Sequence, residues 1–258
     1  MSLSFRQQEI AEIARRSGRV TVDELVAHFA VTPQTIRKDL NALCDGNVLS
    51  RVHGGAVISS GVTNVDYAQR QDMAAQEKAA IGRLCAEQIP DSTSLFINLG
   101  TTTEAVARAL LQHRDLLVIT NNLNVANILI NNPTCEIIIA GGALRRSDRG
   151  IIGEAAVDLI NQFKVDYAVI GTSAIDADGS LLDFDYREVR VAQAILQNAR
   201  RCYLVADRSK LERSAPARIG HISQVSDFFT DRMVSADLAQ VCAAHRVRVH
   251  EAEGRVAA

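Results

Sequence analysis

A chain of 258 residues with a formal net charge of −2 is long enough for two compact units, one small and one of ~180 residues with an ample core. The near-neutral balance excludes a protein that holds polyanions or membranes by bulk positive charge. No apolar run approaches the ~20 residues of a membrane span, and residues Met1 to Arg6 lack a secretory apolar stretch. The five cysteines (Cys44, Cys85, Cys135, Cys202 and Cys242) are odd in number and sit among apolar neighbours, which reads as reduced core thiols of a cytoplasmic protein. Cys242, His245 and His250 lack a second ligand pair, so no metal is expected.

The first predicted element is a helix from about Phe5 to Arg16, with Ile10 and Ile13 on one face and Gly18 beyond its end. Thr21 to Glu24 then reads as a capping box opening a short helix with Val22, Leu25, Val26 and Phe29 apolar. A third helix starts with Thr32 as N-cap and Pro33 in the first turn, where a missing amide costs nothing. Its apolar stripe is Ile36, Leu40 and Leu43. Thr32, Gln34, Thr35, Arg37, Lys38 and Asn41 fall largely outside that stripe, and these residue types contact base edges and phosphates.

Short connections between the three segments fit a helix-turn-helix. From Asn47 to Val57 the pattern turns strand-like and reverses at Gly54 and Gly55, as a small β-wing would, with Arg51 and His53 placed to touch phosphate. The helix pair alone also fits a bundle with solvated charges; the polar face and the wing favour DNA. Residues 1–56 hold seven Lys/Arg and six Asp/Glu, so non-specific affinity is modest and specific binding calls for several modules in a homo-oligomer.

From Ser59 to about Gln76 the chain is polar and weakly patterned, a linker whose second half starts a helix running to Gln88. The expected organisation is a DNA-binding unit over 1–57, a linker over 58–76 and an effector-binding unit over 77–258. Beyond Pro90 short apolar runs alternate with amphipathic segments, the signature of a parallel α/β unit. The expected strands are Leu95 to Leu99, Leu117 to Thr120, Glu136 to Ala140, Tyr167 to Gly171 and Cys202 to Asp207, with late ones near Phe228 and Val247 to His250. Helices are expected at about Thr103 to Leu111, Val125 to Ile130, Glu154 to Phe163 and Tyr186 to Arg201.

In such a sheet the carboxyl ends of the strands share one edge, where ligands bind. Strand one leads into Asn98, then Gly100, Thr101, Thr102 and Thr103 opening a helix, whose free amides attract an anion. The next strands end at Asn121 and Asn122, at Gly141 and Gly142, at Gly171 to Ser173, and at Asp207 to Lys210. With Lys210 and nearby Arg145 or Arg146, these suit a small phosphorylated polyol, the phosphate on Gly100–Thr103 with Lys210 and the hydroxyls on Asn121, Asp176 or Glu188. Each loop alone is also ordinary turn chemistry. An isomerase or deaminase remains open at this point, since Asp176, Asp178, Asp183 and Glu188 supply carboxylates for proton transfer.

Residues 6–57 resemble the N-terminal winged helix of the DeoR family of bacterial transcriptional regulators, through Val-x-Pro-Gln-Thr-Ile-Arg-Lys-Asp-Leu-Asn and then Arg-x-His-Gly-Gly-Ala. Residues from about 67 to 231 resemble the effector domain of the same family, through the motifs at 120–127, 150–155, 178–186 and 207–210. The resemblance implies a fold related to ribose-5-phosphate isomerase and to sugar-phosphate deaminases. It also implies a cytoplasmic, non-enzymatic repressor without cofactor, which binds double-stranded operator DNA and is relieved by a phosphorylated sugar or polyol, glycerol 3-phosphate first among them. One departure is Asn98, where the family usually carries Asp before x-Gly-Thr-Thr; a neutral amide repels an anion less and cannot act as a base.

Overall fold

The computed structural model describes residues 4–17, 19–45, 48–52, 54–58, 64 and 67–252. Its first six elements are α1 (Phe5–Ser17), β1 (Arg19–Thr21), α2 (Val22–Phe29), α3 (Pro33–Asp45), β2 (Leu49–Val52) and β3 (Gly55–Ile58). The Thr21 hydroxyl accepts from the Glu24 amide at 3.2 Å and the Glu24 carboxylate accepts from the Thr21 amide at 3.0 Å, so two orphan donors of α2 are met reciprocally. Ile10, Ala14, Leu25, Ile36, Leu40 and Leu43 share one buried cluster, which is what the helical spacing of apolar residues demands.

The wing is a three-stranded antiparallel sheet ordered β1-β3-β2. Its outer strand β1 was not foreseen, because three residues are too few to show a period. Gly55 is required there: a Cβ would lie 2.0 Å from the Val20 carbonyl oxygen.

The expected helix up to Gln88 is broken into α4 (Tyr67–Asp72) and α5 (Ala75–Ala86), with Ala74 between them in the left-handed region at φ 51. The break has a buried cause. Lys78 turns back and its ammonium donates to the carbonyls of Arg70 and Met73, the latter at 2.6 Å, so the open end of α4 is capped by a cation.

The remaining elements are β4 (Ser94–Ile97), α6 (Thr101–Ala109), β5 (Leu117–Thr120), α7 (Leu123–Leu129), β6 (Glu136–Ile139), β7 (Ala143–Arg145), β8 (Gly150–Ile152), α8 (Glu154–Ile160), β9 (Val165–Ile170), β10 (Ala174–Ile175), β11 (Ser180–Asp183), α9 (Tyr186–Gln197), β12 (Ala199–Val205), β13 (Ala217–His221), β14 (Asp227–Thr230), α10 (Ala236–Ala244) and β15 (Arg248–Glu251). Seven strands form one parallel sheet in the order β15-β14-β12-β9-β4-β5-β6. Side chains alternate across it: Leu95, Ile97, Val169, Tyr203 and Phe229 pack under α5, α6 and α7, whereas Phe96, Ala168, Ile170, Leu204 and Phe228 pack under α8, α9 and α10.

From β4 the chain winds outward to β5 and β6, then returns to β9 on the other side of β4. The boundary between β4 and β9 is therefore the topological switch point, where loops diverge and leave a crevice.

Several boundaries differ from expectation. The helix expected to reach Arg201 stops at Gln197, because from Ala199 onward the backbone is claimed by parallel pairing with β9. The β7–β8 hairpin, the small β10-β11-β13 sheet and α10 gave no clear sequence signal. Among the described residues no helix is long and apolar enough to cross a membrane.

Gly82 of α5 packs directly on α6, and a Cβ there would lie 2.6 Å from the carbonyl carbon of Ala105. Because that obstacle is backbone, Gly82→Ala is expected to cost about 1–3 kcal/mol. Thermal denaturation should show a drop of several degrees; an unchanged midpoint would mean the two helices are free to part.

Candidate functional site

On the winged helix, α3 turns Gln34, Arg37, Lys38 and Asn41 outward, with Thr32 exposed just before it and Thr35 partly so. Thr32 caps the helix, its hydroxyl accepting from the Thr35 amide at 3.3 Å and lying 2.9 Å from the Thr35 hydroxyl. Asp39, the acid among them, points inward and accepts from Arg6 Nε at 2.5 Å and Gln7 Nε2 at 3.2 Å. The outward face of α3 therefore keeps its positive charge while its one interior carboxylate is neutralised locally. Arg51 lies on β2, but its side chain, like His53 as a whole, falls outside the described residues.

At the switch point, Gly100, Thr101 and Thr102 after β4 face Gly171, Thr172 and Ser173 after β9 across a small crevice that Arg70, Asp183, Glu188 and Lys210 close. The α6 N-terminus has no side-chain cap, so its amides are available to an anion. Lys210 is only 9% exposed, and its ammonium makes no hydrogen bond or ion pair among the described residues. Burial, reinforced by Arg213, lowers its pKa to about 7. Burial likewise lowers Lys78 to about 8 and depresses Arg213, one of whose terminal nitrogens is buried without a partner. Asp207 is the counter-charge: burial pushes its carboxyl up, but Lys210 and the Ser209 hydroxyl outweigh this and hold it below the usual range. One buried carboxylate thus stands among Lys78, Lys210 and Arg213, leaving local positive charge that an anion would relieve.

The opposite wall is acidic. Arg145 donates to both Asp148 oxygens at 2.8 and 2.6 Å, to Asp185 at 2.9 Å and to Glu188 at 2.5 Å. Burial and the neighbouring Asp183 raise Glu188 to about 8 despite Arg145. Glu188 is thus held closer to its neutral form than an ordinary glutamate, with Arg145 opposing the shift. Asp183 accepts from the Ser173 hydroxyl at 3.0 Å. Lys210 and Arg70 thus line the same small crevice as Asp183 and Glu188.

Residues 6–62 match the DeoR-like helix-turn-helix domain and residues 73–232 the DeoR C terminal sensor domain. The chain belongs to the DeoR family. It is 47% identical over 249 residues to the glycerol-3-phosphate regulon repressor of Escherichia coli, covering 96% of this chain and 99% of that protein. It is 49% identical over 230 residues to the glycerol-3-phosphate regulon repressor of Haemophilus influenzae, covering 89% and 90%. Among solved structures, the ribose 5-phosphate isomerase A of Methanocaldococcus jannaschii is similar at a TM-score of 0.40 and 12% identity, over 54% of this chain and 55% of that one. These curated relatives are repressors rather than enzymes.

Within this DeoR-family domain the fold brings Gly100, Thr101, Thr102, Glu188 and Lys210 together and places the other expected residues elsewhere. Thr103 is fully buried, its hydroxyl donating to the Asn98 and Gly100 carbonyls to brace the loop. Asn121 holds the Ile151 carbonyl, and Asn122 caps α7. Gly141 and Gly142 are exposed at the β6–β7 connection, and Asp176 is exposed on the β10–β11 turn. Sequence reading missed Arg70, Lys78 and Arg213, which come from the linker helix α4, from α5 and from beyond Lys210. Their isolated charges carried no motif. Asn98 is buried with its Oδ1 unpartnered.

Arg145 joins β7 to α9 by charge. Arg145→Met would strand three partly buried carboxylates, at an expected cost of about 3 kcal/mol and a fall in midpoint of roughly 6–12 °C. Differential scanning calorimetry checks this, and retention of the wild-type midpoint would show that the network is dispensable.

Proposed function

We propose that this DeoR-family protein is a cytoplasmic repressor whose hold on operator DNA is relieved by a small phosphorylated polyol, glycerol 3-phosphate, bound at the switch point. The observation that carries the effector reading is the buried Lys210 side chain, which shares one pocket with the uncapped α6 N-terminus. A phosphate dianion meets both: the amides of Gly100–Thr102 donate to its oxygens and Lys210 neutralises it. Glu188 and Asp183 then read hydroxyls from the acidic side. The names of its relatives support glycerol 3-phosphate as the compound to try first. Residues 1–57 read DNA, 58–76 join and 77–258 hold the effector; a homo-oligomer gives the paired recognition helices that an inverted operator needs.

Two substitutions separate the roles. Arg37→Ala is expected to cut specific operator binding at least about tenfold, measured by fluorescence anisotropy on an operator selected from random duplexes, with glycerol 3-phosphate affinity unchanged. Lys210→Met is expected to leave operator binding intact while removing its release by glycerol 3-phosphate. Normal operator binding by Arg37→Ala would sink the recognition-helix assignment, and normal release of Lys210→Met would sink the pocket.

Protonation gives an independent check. The folded Lys210 pKa of about 7 lies below the usual ~10.4 of lysine, so between those values folding leaves this group neutral and stability rises with pH. A bound phosphate restores the charged form. Calorimetry at pH 8 in buffers of differing ionisation heat is therefore expected to show uptake of most of one proton. Near pH ~6.5 this uptake should vanish, because there the phosphate's own second ionisation releases protons. Binding without proton uptake at pH 8 would remove Lys210 from the site.

A further inference from the structure

The short 3-10 turn Arg208–Glu212 carries contacts to three different parts of the molecule. Lys210 lines the effector pocket. Two residues on, a Glu212 oxygen accepts from Arg19 Nη1 at 2.6 Å, and Arg19 opens β1 of the winged-helix sheet. Arg213, immediately after, lies with Nη2 3.8 Å from Met73 Sδ, beside the end of the linker helix α4. The start of the turn is fixed to the sheet instead: the Arg208 amide donates to Asp231 at 2.7 Å and the Ser209 amide to Asp207 at 3.0 Å.

The cavity at the switch point measures about 20 Å³, little more than one water needs. A phosphorylated polyol enters only if part of the lining moves. Gly100–Thr102 and Gly171–Ser173 follow directly from adjacent central strands, and Glu188 is held by Arg145. Arg70 on α4 and Lys210 on the turn come from outside the sheet. Because the Lys210 side chain is buried, its ammonium cannot swing far without carrying the turn with it. Glu212 rides on the same turn, and its partner Arg19 is 41% exposed, so the pair is weak enough for a ligand to break.

We propose that this turn is the relay between effector and DNA: a phosphate that draws Lys210 toward the α6 N-terminus pulls Glu212 off Arg19 and frees the winged helix from its operator-binding position. The inference rests on the effector reading above. The Arg19–Glu212 pair belongs to the closed pocket, and therefore to the arrangement that holds operator. Ligand and operator then favour opposite states, which is the differential affinity that release requires.

The test uses the full chain, the selected operator duplex and glycerol 3-phosphate, with Glu212→Gln, Glu212→Arg, Arg19→Glu and the double exchange Arg19→Glu/Glu212→Arg. Glu212→Arg adds a cation, so a purely electrostatic effect on DNA would tighten binding. The relay predicts the reverse: operator affinity without ligand falls about 3- to 10-fold, and ligand weakens it further by a correspondingly smaller factor. Glycerol 3-phosphate should bind this variant at least as tightly as wild type, Glu212→Gln should shift the same way by less, and the double exchange should restore both operator affinity and response. Unchanged or tighter operator binding by Glu212→Arg in a chain that melts like wild type, or a double exchange that restores nothing, overturns the relay alone. Failure of glycerol 3-phosphate to bind the wild type overturns the effector reading and the relay with it.

Discussion

Buried positive charge at the carboxyl edge of the parallel sheet is the constraint around which the larger unit is arranged. Lys78, Lys210 and Arg213 surround Asp207, and burial depresses all three cations. A fold normally avoids such an arrangement, since each desolvated charge costs free energy unless it is matched. Here the matching is incomplete: Lys78 spends its protons on two backbone carbonyls, whereas Lys210 spends none on a carboxylate. The helix amides beside Lys210 add to the same sign. Three cations outnumber the one carboxylate, Asp207, that they surround, and the proposed anion site rests on that excess.

The acidic cluster on the far wall is the complement of that charge. Arg145 gathers Asp148 from the β7–β8 connection and Asp185 and Glu188 from the start of α9, and Arg70 approaches Asp148 within 3.6 Å. Asp185, which also caps α9, is pushed up by burial, yet Arg187 and Arg145 hold it down at about 2. Glu188 moves the other way, raised by burial and by Asp183. Two carboxyls on one arginine thus shift in opposite directions because their burial and hydrogen bonds differ. Cations and carboxyls therefore line one crevice together, the arrangement on which the proposed effector reading rests.

Much of this was readable from residue order. The capping box at Thr21, the stripe Ile36–Leu40–Leu43 and the run Leu117–Thr120 each announce themselves by local chemistry, and each element appears where its signal lies. Gly100–Thr102 and Lys210 were also marked, because a glycine and hydroxyls entering a helix, and a lysine after a strand, have recognisable forms. Arg70, Lys78 and Arg213 were not, since a single charged residue on a helix or loop reads as a solvated surface residue until the fold buries it. The helix overrun past Gln197 has a similar origin: nothing local marks the point where β9 claims the backbone.

Residue order was enough for the family resemblance, the third helix with its exposed polar face, and the alternation of strands and helices, because these depend on contacts between residues close in the chain. Which strand ends meet was settled by the folded sheet. It placed the switch point between β4 and β9, drew Glu188 into the pocket and left Asp176 outside. It also set Glu212 against Arg19, 193 residues away in the chain. Pairings at that separation are selected by sheet order and by the burial of charge, and no local pattern encodes either.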